Sequence, residues 1–386
     1  MPPIPIALGL KLGWTEFCPM ANIETSGNLQ LRPFAKSSDR RLKIMVCRLN
    51  SQIIAAIGAL LFMCSGSVAA AHPAEKAKPA VSAVLWTDPG DIRSLNLFWG
   101  PGGEKHQPQQ PVEFLEEDMN GTSPKFDVRD AAGKKWKAKL GLEAKPETAA
   151  SRFLWAVGYA ANENYFVDHL QVTNMPPQLK RRRAHGLTGH DGDVPNVRLQ
   201  RRADHDKRVG DWNWHNNLFY GSREFNGLRV MMGLIANWDL KDENNAILED
   251  EIKSGARLYE VSDVGTAFGT PGKKYSDKAS KGNVGAYCHT KLIAHIHKDY
   301  IDLNFPRRPS IANLFELEWD FFFHQVSIEW IGKHIPRSDA KWIGSLLAQL
   351  SPDQIRDAFR AAGYSPTEVD ALTQAVISRI QELNSL

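Results

Sequence analysis

The stretch Asn237-Trp238-Asp239-Leu240-Lys241-Asp242-Glu243-Asn244-Asn245 stands between an apolar helical run, Arg223 to Ala236, and a short apolar strand, Ala246-Ile247-Leu248. It places one carboxylate, Asp239, five residues before one side-chain amide, Asn244. A carboxylate can accept or orient the proton of a hydroxyl, and an amide oxygen a few residues on can hold a hard metal ion. Asp, Lys, Glu and Asn also crowd ordinary surface loops. The meaning of the stretch therefore depends on what surrounds it.

Downstream, Ala246-Ile247-Leu248 and Leu258-Tyr259-Glu260-Val261 flank a charged turn ending near Gly255 and read as a hairpin, followed at once by Ser262-Asp263-Val264-Gly265. Upstream, Pro111 to Gly141 has strand character: Val112-Phe114-Leu115, then Phe126 and Val128, then Trp136, Ala138 and Leu140 alternating with Lys137 and Lys139. Asn120-Gly121-Thr122-Ser123-Pro124 is turn chemistry between the first two strands. Pro146 to Ala161 reads as a helix, with proline in its first turn, Glu147 at its N-terminal end and an apolar stripe of Ala150, Phe153, Leu154 and Val157. Tyr165 to Val172 reads as a further strand.

In this order the parts resemble the protein-kinase-like fold. Asp-Leu-Lys-x-Glu-Asn is similar to the catalytic loop of protein kinases, and Trp136-Lys137-Ala138-Lys139 to the strand that carries their phosphate-binding lysine. The loop Asn120 to Phe126 is most similar to that of HipA-type kinases and the phosphatidylinositol-kinase-like group, and the whole is similar to secreted bacterial proteins of the same build. The resemblance implies an α+β, two-lobed fold: a small antiparallel-sheet lobe, a helical lobe and a C-terminal helical extension. It implies that Lys139 holds nucleotide phosphates and pairs with Glu147, that Asp239 is the catalytic base, and that Asn244 and Asp263 bind Mg²⁺. Gly121, Thr122 and Ser123 would cover the phosphates with backbone N–H groups. Three departures stand out. No G-x-G-x-x-G loop is present, Asn237-Trp238 replaces the His-Arg before the catalytic aspartate, and Val264 replaces the Phe of Asp-Phe-Gly.

The implied activity is ATP- and Mg²⁺-dependent transfer of phosphate to a hydroxyl on a protein, lipid or small molecule. Nucleotidyl transfer is the near alternative, and a non-catalytic binding module of pseudokinase type the distant one. A third alternative, a metal-dependent hydrolase using His185, His190 and Asp191, lacks recognised ligand spacing, and the Gly/Asp turns there favour a loop.

The remaining features bound these readings. Of 386 residues, 42% are hydrophobic and 24% charged, which is a globular composition. Lys plus Arg number 47 against 44 Asp plus Glu, a balance that argues against a dedicated nucleic-acid binder. Met45, Arg48, the apolar run Ile53 to Met63 and Ala69-Ala70-Ala71 follow the grammar of a secretory signal peptide cleaved before His72. The expected location is therefore secreted or periplasmic, the alternative an uncleaved membrane anchor. Removal of that segment takes away Cys18, Cys47 and Cys64 and leaves Cys288, read as a buried thiol.

The expected organisation is an upstream segment and signal over 1–71, a leader and docking arm over 72–110, a small nucleotide-binding lobe over 111–172, a large catalytic lobe over 173–335 and a helical segment over 336–386. Within these, 178–212 reads first as a solvated basic insertion, the alternative being a patch for an anionic substrate or a membrane surface. Leu314 to Ile331 reads as a long helix, and Gly265 to Gly285 as a mobile stretch. Ser351-Pro352-Asp353-Gln354 and Ser365-Pro366-Thr367-Glu368 read as helix N-termini with capping boxes.

Overall fold

Alternation along Lys135–Leu140 decides where the small lobe's core lies. Trp136, Ala138 and Leu140 are buried together, while Lys137 and Lys139 occupy the other face. A computed structural model of the chain describes residues 82–121, 123–201, 206–250, 256–270, 282–305 and 328–386. The signal-like segment, Thr122, most of the predicted helix 314–331 and residues 271–281 lie outside the described residues.

Five strands close into a barrel: β2 (Val112–Glu117), β3 (Lys125–Arg129), β4 (Lys135–Leu140), β5 (Asn164–Thr173) and β6 (Asp193–Arg201). β1 (Ser82–Val84) lies elsewhere, parallel to a strand of the large lobe. The barrel order is β2-β3-β4-β6-β5, closed by a short parallel pairing of Val112 with Val172 and Glu113 with Thr173. Phe126 opposite Ala138 and Val128 opposite Trp136 fill the inside. On the outer face the same register sets Lys125 opposite Lys139 and Asp127 opposite Lys137.

One expected boundary moves, and one expected insertion proves to hold a strand. β6 pairs with both β4 and β5, so the small lobe extends to Arg201 rather than ending at 172. Val194, Val197 and Leu199 are buried in the barrel, so the segment read as a solvated insertion contains a core strand. Pro195 and Asn196 break its alternation, Asn196 with a φ of 54°, and this masks the strand in the sequence.

Helix α1 (Ala144–Ala156) sits between two cores. Phe153 and Leu154 join the large-lobe core, while Glu147 is buried beside β6 through Arg198. The large lobe carries β7 (Asp206–Gly210), α2 (Arg223–Leu234), β8 (Asn245–Asp250) and β9 (Ala256–Val261). The predicted hairpin is β8–β9, extended to a four-stranded sheet in the order β1-β9-β8-β7. Ser222 caps α2 by accepting from the Phe225 N–H.

A short helix, α3 (Val284–Cys288), precedes a three-stranded sheet of β10 (Ile293–Ile296), β11 (Tyr300–Leu303) and β12 (Ile335–Pro336). The described end of the predicted long helix is a 3-10 turn, Glu329–Gly332. Helices α4 (Arg337–Leu347), α5 (Pro352–Arg360) and α6 (Pro366–Asn384) follow, and both capping boxes are present, with proline in the first turn.

These last helices are not a separate segment. Ile343, Leu347, Phe359, Leu372 and Leu383 share one core with α2. The arm before the barrel is fastened to them, since Gln354 Nε2 donates to the carbonyls of Ile92 (2.9 Å) and Leu95 (2.8 Å). Its buried anchors are Leu85, Ile92 and Leu97, with Trp86 donating to the Val157 carbonyl at 2.6 Å. Cys288 is free and part-buried, and burial pushes its thiol up. Among the described residues no helix is long and apolar enough to cross a membrane.

Candidate active site

Lys139 is the centre of the site. It lies on the outward face of β4, under α1, with 4% of its surface exposed. Its ammonium meets three carboxylates: Glu143 Oε2 at 2.7 Å, Glu147 Oε2 at 2.9 Å and Asp263 Oδ1 at 3.2 Å. Burial works against the charge of Lys139, but Asp263, Glu143 and Glu147 outweigh it and hold its pKa well above the ordinary lysine value. A buried charge is stable only when paired in this way. Glu147 also accepts from Arg198 Nη2 at 3.1 Å through Oε1, and burial pushes its carboxyl up against that pull.

The structure thus brings together three of the residues singled out in the sequence, Lys139, Glu147 and Asp263, although Lys139 and Asp263 stand 124 positions apart. It adds two that the sequence reading passed over, Glu143 and Arg198. Glu143 stands at the N-cap of α1, one turn before Glu147, and reaches Lys139 across the turn at Gly141, a contact that no spacing rule along a single strand or helix displays. Arg198 was hidden in the segment read as an insertion.

Gly265 is required by close packing. A Cβ at that position would lie 2.9 Å from the Glu143 Cβ and 3.0 Å from the Lys139 Nζ. Its N–H donates to Asp263 Oδ1 at 3.1 Å and helps aim that carboxylate. Val264, at the place of an expected aromatic ring, is buried in the large-lobe core.

The loop quoted at the outset is tied to Asp263 by its backbone. The Asn244 carbonyl accepts from the N–H groups of Ser262 (2.8 Å) and Asp263 (3.2 Å). The Asn244 side chain donates Nδ2 to the Asp239 carbonyl at 2.7 Å, which leaves Oδ1 as its acceptor atom. The Asp239 N–H donates to Thr266 Oγ1 at 3.4 Å, and the Thr266 hydroxyl donates to the fully buried Asn237. Asn237, at the first position of the replaced His-Arg pair, therefore fastens the two loops through neutral hydrogen bonds. Asp239 is part-exposed, with Lys241 Nζ at 3.5 Å.

The loop between β2 and β3 forms the lip of the small lobe. Gly121 has a φ of 63°, and Ser123 Oγ donates to Glu143 Oε2 at 2.7 Å. Thr122 lies outside the described residues. Asp118 pairs with Lys137 and lies 3.8 Å from Lys125. Burial would raise the Asp118 carboxyl, but the hydrogen bond and charge of Lys137 hold it at about 2.

The donors fit a hard divalent cation that shares its shell with phosphate. Asp263 and Asn244 carry oxygen donors on loops joined by a backbone hydrogen bond, and the Asp263 side chain is 44% exposed despite its bond to Lys139. Among the described residues no group of three or more His, Cys, Asp or Glu could hold a metal by itself. The hydrolase alternative gains nothing here, since His185 Nε2 is hydrogen-bonded to the Leu179 carbonyl at 3.0 Å. Asp191 lines a separate cavity of about 540 Å³ at the end of the barrel, with Thr173, Asn174 and Thr188.

No protein-family model matches the chain, and no curated protein matches it. Among solved structures it is similar to a Helicobacter pylori proinflammatory kinase, CtkA, at 10% identity and a TM-score of 0.42, covering 72% of this chain and 98% of that one. It is also similar to the Golgi casein kinase at 12% identity and a TM-score of 0.26, covering 76% and 78%. A structure of the Golgi casein kinase with Mn/ADP bound matches at 12% identity and 0.26, covering 75% and 77%. All are remote, and the reading of the site stands on this chain's own residues. Its lysine strand, glutamate helix, hairpin and Asp263 loop are parts of an α+β chain with two hydrophobic cores, one in the barrel and one in the large lobe.

Proposed function

We propose that the protein is an ATP- and Mg²⁺-dependent phosphotransferase acting on a hydroxyl acceptor. One observation carries the reading. A single buried ammonium, Lys139, is shared by Glu147 of the small lobe and by Asp263, whose backbone is bonded to that of Asn244. A scaffold gains nothing from crowding three carboxylates on one lysine at a cleft, since buried ionic clusters are poor sources of stability. A phosphate site does gain, because the cluster keeps a cation fixed and charged where anionic oxygens bind.

In this reading Lys139 holds phosphate oxygens, and Glu147, itself fixed by Arg198, keeps its ammonium in place. Asp263 and Asn244 would hold the divalent cation, whose chemistry is to neutralise charge on the phosphates. Asp239 accepts the proton of the acceptor hydroxyl as its oxygen bonds to phosphorus. The bond from phosphorus to the leaving ADP oxygen breaks in the same transfer. Gly121 and its neighbours cover the phosphates from the lip.

Two isosteric variants separate the roles. Asp263→Asn removes the charge that holds the cation, so Mg²⁺-dependent nucleotide binding is expected to weaken. Asp239→Asn removes only the proton acceptor, so binding stays near the parent's and turnover falls by about 10²–10⁴-fold. Calorimetric titration with ATP, with and without Mg²⁺, and transfer assays with phosphate labelled at the γ or the α position test this. Unchanged Mg²⁺-nucleotide binding by Asp263→Asn defeats the assignment. Transfer of the α label would point to nucleotidyl transfer, and no nucleotide binding by the parent would leave the scaffold reading in its place.

A further inference from the structure

Arg181 has no part in the site as built so far. It belongs to the basic run Lys180-Arg181-Arg182-Arg183, whose other three residues are exposed. Its guanidinium reaches the loop between β2 and β3, sixty positions earlier in the chain, where Nη1 donates to the Gly121 carbonyl at 2.8 Å. Nη2 lies 3.4 Å from the carbonyls of both Asp118 and Asn120. The grip is reciprocal. Glu117, the last residue of β2, accepts the backbone N–H groups of Lys180 (2.6 Å) and Arg181 (2.8 Å). Among the described residues no carboxylate lies within ion-pair reach of the Arg181 guanidinium, so its charge is directed at three backbone carbonyls.

That arrangement has a geometric consequence. A trans peptide sets its C=O and the following N–H in opposite directions. With the carbonyls of Asp118 and Asn120 turned to Arg181, the N–H groups of Met119 and Gly121 point away from it. The loop is held elsewhere by the Asp118 carboxylate on Lys137 and by Ser123 on Glu143. A turn containing a glycine at φ 63° has many conformations open to it, and a planar fork bridging its carbonyls removes most of them.

We infer that Arg181 is a positioning residue for nucleotide phosphates, fixing the peptide planes of the loop that covers them before the nucleotide arrives. The inference rests on the phosphotransferase reading above. Preorganised donors bind more tightly because the ordering entropy is already lost. Arg181→Ala should therefore weaken binding of Mg²⁺-ATP by at least about tenfold, the equivalent of one charge-assisted hydrogen bond. Arg181→Lys, a point charge without the planar fork, should recover part of that loss, and Glu117→Gln should weaken binding in the same direction by less.

The experiment uses the full chain: calorimetric titration with Mg²⁺-ATP, thermal melting without ligand, and amide exchange of peptides spanning 117–125. The expected result is lost affinity and faster exchange confined to those peptides, with a melting temperature within a few degrees of the parent's. Parent-like affinity in Arg181→Ala, with the parent itself binding, overturns this inference alone. No binding by the parent overturns the phosphotransferase reading and this inference with it. If Arg181→Ala fails to fold, Arg181→Lys and Glu117→Gln decide, and parent-like affinity in both overturns it.

Discussion

Replacing Glu147 with glutamine keeps the shape of the side chain and removes its charge, and the structure says where the cost falls. Glu147 is buried and serves two cations, Lys139 at 2.9 Å and Arg198 at 3.1 Å. Lys139 keeps two other carboxylates, at 2.7 Å and 3.2 Å, and stays neutralised. Among the described residues Arg198 keeps neutral acceptors, Gln200 Oε1 at 2.7 Å and Asn164 Oδ1 at 3.3 Å. The variant therefore leaves one buried guanidinium without a counter-charge, and breaking such a pair costs about 3–5 kcal/mol. A glutamine that still accepts one hydrogen bond brings the expected loss to about 3 kcal/mol. Arg198→Gln should cost less, about 1–2 kcal/mol, because Glu147 then retains Lys139. The double variant should be more stable than the sum of the singles implies, by at least about 1 kcal/mol. Urea unfolding of the four proteins, with unchanged m values, measures all of this. Strict additivity, or a larger loss for Arg198→Gln than for Glu147→Gln, would refute the argument that Arg198 rather than Lys139 depends on this carboxylate.

Gly265→Ala should destabilise the protein by about 1–3 kcal/mol and weaken nucleotide binding, because the new Cβ falls 2.9 Å from the Glu143 Cβ and 3.0 Å from the Lys139 Nζ; unchanged stability and binding would show that α1 yields at no cost. Asp118, held at about 2 against an ordinary 3.8, contributes stability that is present above about pH 4 and lost as pH falls towards 2, about 1 kcal/mol or less once solvent screening is allowed for. Asp118→Asn should therefore be less stable than the parent at pH 7 and close to it near pH 2, as read by denaturant unfolding at each pH; an equal difference at both would discount the pairing with Lys137.

Much of the fold was legible because the signals were local. Alternation placed β2, β3 and β4, proline-led capping boxes placed α5 and α6, and the spacing of Asp239, Asn244 and Asp263 marked the loops around β8 and β9. Each of these depends on neighbours within a few residues, which a sequence displays directly. β6 was not legible, because Pro195 and Asn196 interrupt its period and its basic residues suggest solvent. Those residues are acceptable in a core strand only because partners far along the chain take their charges: Glu147 takes Arg198, and Glu163 takes Arg201.

The sequence by itself determined the order of elements, the caps and the residue types available for chemistry. Tertiary structure decided which of them meet. Lys139 finds Asp263 across 124 positions, Arg181 finds Gly121 across sixty, and the last helices join the large-lobe core instead of standing apart. The reason is physical: a charge's partner is set by who is near once solvent is excluded, and proximity across a closed barrel and a shared core is not encoded in spacing along the chain.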